Sequence, residues 1–371
     1  MILFTIIAFI FILGLLVFVH ELGHFIAAKR SGMKVEEFGF GFPPRMFGIK
    51  RGETTYTVNW IPLGGFVKIL GEDETTLDDP RAFGARPFWP RLGVLLAGVA
   101  MNFILGWFLI FLGFSIIGTP VEIAEGETMP NAKLKSQELT IVAIESKSPA
   151  EYAGFKSGDV ILSVDGQKFE KIDDMIGYNK SHGGTGITYE LKRGQEVITR
   201  EVTPRTQWAE NSGPVGFAPA IIAVATYPID DALRYSLDSF WLRAVGILSA
   251  FGQLLRQLFG HGKLVEGLAG PVGIAVLTRD FLNLGIVYIV QFAAVLSINL
   301  GVINAVPFPA LDGGRVLFLV IEKIRGAKSL KFERVANTIG FLLLLLLMVV
   351  VTFGDITRFS DQFRRLFERI L

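Results

Sequence analysis

The stretch His20-Glu21-Leu22-Gly23-His24 contains the residue types needed for metal-assisted hydrolysis. On an α-helix, positions i and i+4 share a face, so both imidazoles can point at one metal ion, with Glu21 beside it as a general base. The stretch lies within a run of Phe, Ile, Leu and Val long enough to cross a bilayer. Ionisable side chains at membrane depth are costly unless they bind or pair with something. We therefore expect a functional site here.

Two histidines need a further ligand, because a catalytic zinc ion is usually held by three protein ligands and keeps one position for water. The chain has no cysteine, so the third ligand must be His or a carboxylate. His182 and His261 are expected to be solvated. Asp312 is the better candidate, since two prolines and two glycines break the helix in residues 304–314. Taken alone, Asp312 is as readily a cap or turn residue.

The composition predicts membrane helices together with a soluble part. Of the 371 residues, 51% are apolar and 19% are charged, which is too apolar for an ordinary soluble domain and too charged for a purely membrane-embedded chain. The net charge of +1 provides no basic surface for nucleic acid. His and carboxylate ligands also accept iron, cobalt or manganese, so the sequence leaves the identity of the metal open.

Four segments have the length and polarity of membrane-spanning helices, at about residues 2–28, 92–117, 284–306 and 339–353. The first lacks the basic region and cleavage site of a signal peptide, so it is expected to remain as a span. Residues 231–259 carry arginines among Leu, Phe and Trp, which favours a surface-lying amphipathic helix over a further span.

The charges of the loops predict the orientation. Residues 29–91 and 323–334 are rich in Lys and Arg, so both loops are expected in the cytoplasm and residues 119–283 outside. The arginines of the C-terminal tail disagree with this orientation, and we expect the tail to lie along the membrane surface. Residues 20–24 would then lie near the cytoplasmic end of the first span.

Residues 138–202 show short β-rich runs separated by turn signals. The signals come in the order Ser148-Pro149-Ala150, Ala153-Gly154, Ser157-Gly158-Asp159 and Asp165-Gly166. This order resembles a bacterial PDZ domain over most of residues 119–205. Such domains commonly bind an extended peptide by adding it to a sheet edge. A plain β-rich spacer is the alternative.

The two membrane motifs together resemble the site-2 protease family of intramembrane zinc metalloproteases, in the bacterial form with one PDZ domain that regulates sigma-factor signalling. In that family a His-Glu-x-x-His helix supplies two ligands and the base, and a distant Asn-x-x-Pro-x-Pro-x-Leu-Asp-Gly motif supplies the third ligand. Both motifs are intact here. The resemblance implies that His20, His24 and Asp312 bind one zinc ion per chain, that Glu21 activates water, and that Asn304 assists substrate binding.

A second part of the resemblance concerns the loop after the first span. Residues 39–41 and 62–68 resemble the family's membrane-dipping β-region, which is thought to hold the substrate as an added strand. Gly64 and Gly65 are therefore expected to bind substrate. Val99 stands where the family's second-span motif usually has proline.

The expected fold is a multi-span α-helical membrane protein with about four transmembrane helices, a membrane-associated β-region and one extracytoplasmic PDZ domain. The expected segments are span 1 with the zinc motif (1–28), cytoplasmic loop and β-region (29–91), span 2 (92–118), PDZ domain (119–205), membrane-surface segment (206–283), span 3 with the Leu-Asp-Gly motif (284–322), span 4 (335–354) and tail (355–371).

The resemblance implies a zinc metalloendopeptidase of the bacterial inner membrane that acts in regulated intramembrane proteolysis. Its expected substrates are single-span membrane proteins, such as trimmed anti-sigma factors or remnant signal peptides. The expected partners are this transmembrane substrate, membrane lipid, and a peptide or protein at the PDZ domain. The active site would lie toward the cytoplasm and the PDZ domain outside.

Two other classes of protein compete with this interpretation. A non-enzymatic scaffold with a structural metal would need four protein ligands, and only three are evident. A transporter using intramembrane His, Glu and Asp predicts internal repeats, and none is evident in the sequence.

Overall fold

The computed structural model describes residues 2–72, 79–124, 129–209, 212–261, 269–326 and 330–359. They divide into two compact units. The first comprises Met1–Leu109, Asp238–Arg279 and Phe292–Leu371, and the second comprises Ile110–Leu237 and Asp280–Gln291.

In chain order, the helices are α1 (Ile2–Arg30), α2 (Phe88–Leu112), α3 (Pro149–Tyr152), α4 (Ile172–Ser181), α5 (Ile229–His261), α6 (Pro271–Leu284), α7 (Ile286–Ala305), α8 (Asp312–Arg325) and α9 (Leu330–Arg358). The strands are β1 (Val35–Arg51), β2 (Thr54–Ile69), β3 (Thr119–Ile123), β4 (Lys133–Ile144), β5 (Val160–Val164), β6 (Ile187–Arg193), β7 (Glu196–Val202) and β8 (Phe217–Thr226). A short 3₁₀ helix (Phe83–Ala85) precedes α2, and a π-helical turn (Gly113–Ile117) follows it.

Among the described residues, four helices are long and apolar enough to cross a membrane, as predicted. They cover Leu3–Arg30, Phe88–Ile117, Ile286–Ala305 and Lys331–Arg358. The amphipathic segment forms one continuous helix, α5, which is not among the four.

Several predicted helix boundaries differ from the structure. The first helix ends at Arg30 rather than at residue 28, and the second begins at Phe88 rather than at residue 92. The predicted third span, residues 284–322, is divided into α7 and α8. The fourth helix runs from Leu330 to Arg358, beyond the predicted bounds of 335 and 354. Asp355 is buried and accepts a hydrogen bond from the backbone N–H of Gly273 at 2.7 Å. The rest of the predicted tail, residues 360–371, lies outside the described residues.

Strands β1 and β2 form a twisted antiparallel sheet beside α1. Residues 37–40 pair with residues 65–68 on one side and with residues 55–58 on the other, and residues 45–51 pair with residues 54–59 to complete the sheet. In the described part of the chain, residues 65–69 therefore lie at a sheet edge. A buried apolar cluster connects this sheet to the helices around it, formed by Ala28, Met33, Val35, Ile69, Phe83, Val94, Leu95 and Leu319.

The second unit contains a six-stranded sheet in the order β3-β8-β4-β5-β6-β7. The sequence motifs of this segment form its turns. Ser148 caps α3 by accepting a hydrogen bond from the backbone N–H of Glu151 at 3.2 Å, and Pro149 occupies the first helical turn. The buried core includes Ile141, Met175, Tyr189 and Leu191.

The predicted end of the soluble domain at residue 205 omits one strand of this sheet. Strand β8 pairs with β3 on one side and with β4 on the other. Residues 217–226 were assigned to a membrane-surface segment, and this part of the prediction was wrong. Both partners of β8 lie more than seventy residues earlier in the chain, so no hairpin signal announces the strand.

Candidate metal centre

The His20-Glu21-Leu22-Gly23-His24 turn lies in the second half of α1, where it packs against α2. A Cβ atom on Gly23 would overlap the carbonyl of Ala97, and a Cβ atom on Gly98 would overlap both imidazoles. Small residues at a helix crossing allow the backbones to approach closely. The two glycines therefore bring α2 directly against the histidines.

Helix α2 contacts the Nδ1 atom of each histidine. His24 Nδ1 lies 2.8 Å from the carbonyl oxygen of Val94, and His20 Nδ1 lies 3.0 Å from the side-chain amide of Asn102. Asn102 is fully buried, and the hydroxyl of Ser297 donates to its backbone carbonyl at 2.7 Å. Both histidines are thus held through Nδ1, and their Nε2 atoms point the other way.

Asp312 reaches the same point from the first turn of α8. Helix α7 ends at Ala305, and the segment that follows contains Pro307 and Pro309, which cannot donate backbone hydrogen bonds. Gly313 and Gly314 have no room for a side chain, because a Cβ atom on either would overlap backbone carbonyls of this segment. The proline-broken segment therefore folds tightly onto the start of α8.

Helix α9 supports the same segment from another side. Ala310 adopts a positive φ of 74°, and its backbone N–H donates to Oδ1 of Asn337 at 3.0 Å. A Cβ atom on Gly340 would lie 2.5 Å from the carbonyl oxygen of Pro309. These contacts fix the loop that ends at Asp312.

Three side-chain atoms converge at the centre. The distance from Asp312 Oδ2 is 3.1 Å to His20 Nε2 and 3.3 Å to His24 Nε2, and the two Nε2 atoms are 3.2 Å apart. Nitrogen and oxygen ligands about 2.0 to 2.1 Å from a tetrahedral zinc ion lie roughly 3.3 Å from each other. Asp312 Oδ2 is buried and has no hydrogen-bond partner. These spacings, and an orphaned acceptor between two imidazole nitrogens, fit a shared divalent cation.

Glu21 lies next to this cluster at the edge of the β1–β2 sheet. A Cβ atom on Gly65 would lie 3.1 Å from Glu21 Cγ and 3.1 Å from the carbonyl oxygen of Gly39. Gly64 has φ +131°, and a side chain there would overlap the ring of Phe42. The absence of a side chain at Gly65 lets the backbone of β2 pass close to Glu21.

Asn304 is half-buried in the last turn of α7. Among the described residues, His182 does not join the cluster of His20, His24 and Asp312. His182 ends α4 and stacks on Tyr178 with ring centroids 4.1 Å apart, and the side chain of His261 lies outside the described residues.

The sequence prediction missed two residues that complete the surroundings of the histidines. Gly98 gives them space, and Asn102 contacts His20 across 82 positions in the chain. The spacing of Gly98 and Asn102 carries no metal-binding pattern. A buried amide on an apolar helix was the one available signal for Asn102, since such a group requires a partner.

Known proteins resemble this chain over nearly its whole length. The profile of peptidase family M50 matches residues 8–347. A putative zinc metalloprotease of Clostridium acetobutylicum is 35% identical over 356 residues, covering 95% of this chain and 97% of the relative. The regulator of sigma-W protease RasP of Bacillus subtilis is 32% identical over 440 aligned positions, covering 95% and 98%.

Among solved structures, the PDZ domain of the SdrC-like protein from Listeria monocytogenes matches 24% of this chain and 92% of that domain, with 18% identity and a TM-score of 0.21. The family match extends from α1 into α9 and includes both the His-Glu-x-x-His turn and the Leu-Asp-Gly segment. The chain therefore belongs to peptidase family M50.

Proposed function

We propose that this bacterial membrane protein is a zinc metalloendopeptidase that cleaves single-span membrane proteins within the bilayer. The observation that carries the proposal is the convergence of His20 Nε2, His24 Nε2 and Asp312 Oδ2 within 3.3 Å of one another. Relatives that match nearly the whole chain are named zinc metalloproteases. Three protein ligands leave one coordination position open, as catalysis requires.

His20, His24 and Asp312 would hold one zinc ion per chain. When bound, zinc supplies Lewis acidity that polarises the scissile carbonyl and activates water. Both histidines present Nε2 to the centre because α2 occupies their Nδ1 atoms. Fixing the second nitrogen in this way sets the tautomer and the orientation of each ring.

Glu21 is the proposed general base. It follows His20 directly on α1 and lies against the backbone of Gly65, so it borders both the metal ligands and the sheet. In this position its carboxylate can take a proton from the attacking water and return it to the leaving amine nitrogen. This proton transfer is the chemical role of Glu21.

The edge at residues 65–69 is the proposed docking strand for the substrate. The amides of a helical transmembrane substrate are in internal hydrogen bonds, so the helix must unwind before attack, and strand addition holds the extended form. Gly64 and Gly65 allow a second backbone to approach there, next to Glu21. The half-buried Asn304 amide in the last turn of α7 would bind the substrate backbone.

The charges of the loops support a cytoplasmic position for the β1–β2 sheet and an external position for the second unit. We assign the sheet of the second unit, including β8, to a PDZ domain that senses the trimmed end of a substrate. Trimmed anti-sigma factors and remnant signal peptides are the proposed substrates. A relative of this chain is named a regulator of sigma-W protease.

The decisive experiment compares purified wild type with Glu21→Gln and with the control Glu196→Gln, which alters an exposed residue at the start of β7. Zinc content and cleavage of a generic transmembrane substrate are measured for each. We expect equal zinc in all three proteins and loss of cleavage in Glu21→Gln alone. Cleavage by Glu21→Gln at the wild-type rate would remove Glu21 as the base.

The docking role of the edge strand has its own test. Gly65→Val places a side chain between β2 and Glu21, so we expect wild-type zinc content but greatly reduced cleavage of the transmembrane substrate. The control Gly246→Ala changes a glycine of α5 that has open space around it. Undiminished cleavage by Gly65→Val would eliminate this edge as the docking strand.

A further inference from the structure

Strand β8 occupies an unusual place in the sheet of the second unit. Strand β4 pairs along one side of it, from Lys133↔Thr226 to Ile144↔Phe217. The much shorter β3 pairs along the other side, from Thr119↔Ala225 to Ile123↔Ile221. Without β3, β8 would be the edge strand of a five-stranded sheet.

This edge has the features of a peptide-binding edge, an inference that rests on the proposed assignment to a PDZ domain. PDZ domains add an extended peptide to an exposed strand beside a helix. Strand β8 packs against α4 and starts directly after Gly216, which has φ +83°. The loop before it is fixed by hydrogen bonds from the backbone N–H of Arg205 to Pro214 O (2.7 Å) and from Ala150 N–H to Val215 O (2.9 Å).

Strand β3 is placed on this edge as a bound peptide would be. It runs antiparallel to β8 and points toward the Gly216 end. Side chains alternate between the two faces of a strand, and here Thr119 and Ile123 are buried while Glu122 is exposed. The hydroxyl of Thr119 also accepts a hydrogen bond from Gln291 at 3.2 Å, which secures the start of the strand.

We propose that β3 is a built-in occupant of the peptide-binding edge. While β3 is paired, residues 221–225 of β8 are closed to any external strand, so a peptide that needs this part of the edge must displace β3. The domain then responds to a substrate end only in molecules whose β3 has separated from β8. The apparent affinity for an external peptide is then the intrinsic affinity multiplied by the fraction of molecules in which β3 has separated from β8.

The chain has no cysteine, so two introduced cysteines can form one defined disulfide that holds β3 on β8. Glu122 and Ile222 are directly opposite on β3 and β8. Opposed residues of antiparallel strands are about 4.5 to 5.5 Å apart at Cα, within the range for a disulfide. The double variant Glu122→Cys, Ile222→Cys therefore gives a locked form when oxidised and its own matched control when reduced. Val121→Pro with Ile123→Gly gives a released form, because proline cannot donate to the ladder and glycine removes a buried side chain.

All forms are made as full-length protein carrying Glu21→Gln, so that binding is measured without hydrolysis. The probe is a pool of fluorescent decapeptides with free C-termini, and affinity is read by anisotropy in detergent. We expect the released form to bind about tenfold or more tightly than the locked form, with the reduced form in between.

The proposal is overturned if the locked, reduced and released forms bind the peptides equally well, or if none of them binds. Hydrogen exchange is a second measurement that requires no variant. A wild-type fragment covering residues 119–123 that exchanges as fast as an unpaired segment also overturns it. Either failure leaves the proposed protease activity intact, because neither measurement depends on zinc or on cleavage.

Discussion

At the scale of single residues, the two histidines are positioned by contacts of their Nδ1 atoms, on the side of each ring opposite Asp312. His24 contacts a backbone carbonyl through Nδ1, and His20 contacts the Asn102 amide. The Asn102 Oδ1 atom is buried without a partner. Rotating this amide by half a turn lets Oδ1 accept the proton that His20 keeps on Nδ1 when Nε2 binds a metal. Asn102 is thus a positioning residue for His20.

Asn102→Ala should weaken zinc binding by about 10- to 100-fold, because His20 loses the group that sets its tautomer. The measurement is zinc retention against a competing chelator. Asn102→Asp keeps an acceptor oxygen at the same place and should restore most of the affinity. Equal zinc retention in wild type and Asn102→Ala would show that the contact has no positioning role.

Gly98→Ala should abolish zinc binding without unfolding the protein, since its Cβ atom would overlap both imidazoles. Zinc content and thermal unfolding of the purified protein are the two measurements. The control is Gly93→Ala on the same helix, where a Cβ atom meets nothing within 4 Å. It should retain zinc and gain up to about 1 kcal/mol of helix stability. A full complement of zinc in Gly98→Ala would contradict the packing described for α1 and α2.

The sequence predicts His20, His24 and Asp312 as ligands of one metal ion, and the structure brings these three side chains together. The spacing of His20 and His24 is a local helical pattern, and Asp312 stands out because an acid at the end of an apolar run is costly. The sequence could not predict the contacts that Val94 and Asn102 make with the two histidines. A backbone carbonyl has no sequence signature, and which buried amide meets which imidazole depends on how α1 crosses α2.

At the scale of elements, the soluble sheet depends on a buried ion pair near the Ser-Gly-Asp motif. Asp159 is fully buried, and both of its carboxylate oxygens accept hydrogen bonds from the Arg193 guanidinium at 2.6 Å. Oδ2 also accepts a hydrogen bond from the backbone N–H of Lys156 at 2.8 Å. The pair links the turn before β5 to the end of β6.

Asp159→Ala should lower the free energy of unfolding of this sheet by about 1.5 to 3 kcal/mol, since it removes a charged hydrogen-bond acceptor from Arg193 and from the Lys156 N–H. Hydrogen exchange at the buried core residues Tyr189 and Leu191 in the full-length protein reports the change. Lys192→Ala is the matched control, because Lys192 and Glu138 form an exposed pair at 3.4 Å, expected to contribute less than about 1 kcal/mol. Equal losses in the two variants would refute the structural role of Asp159.

Elements with local signals were predicted better than elements with distant partners. The four apolar helices follow from composition over a long window. The turns of the soluble sheet follow from Ser-Pro and Gly signals. Strand β8 was missed because its place is set by pairing with strands far away in sequence. The helix boundary beyond residue 354 was missed because a buried hydrogen bond to Asp355 outweighs its polarity.

At the scale of the whole molecule, the proposed orientation can be tested with single cysteines, since the chain has none. Lys50 lies on the exposed part of β1, and Lys168 is exposed between β5 and α4. A membrane-impermeant maleimide should label Lys168→Cys in intact cells and Lys50→Cys only after permeabilisation. The wild-type chain is the unlabelled control. The reverse pattern would place the six-stranded sheet in the cytoplasm and contradict the proposed orientation.

The meeting of α1 with α8 also has a consequence for biosynthesis. His20 and His24 emerge early in translation, whereas Asp312 emerges roughly 290 residues later, about 15 to 60 seconds at typical synthesis rates of about 5 to 20 residues per second. Until α8 has been made and inserted, the newly made chain holds only two of the three proposed ligands, together with the proposed base, so the proposed site is incomplete. The growing chain would therefore be inactive as a protease during its own membrane insertion. It would become active only after most of the chain has been inserted into the bilayer.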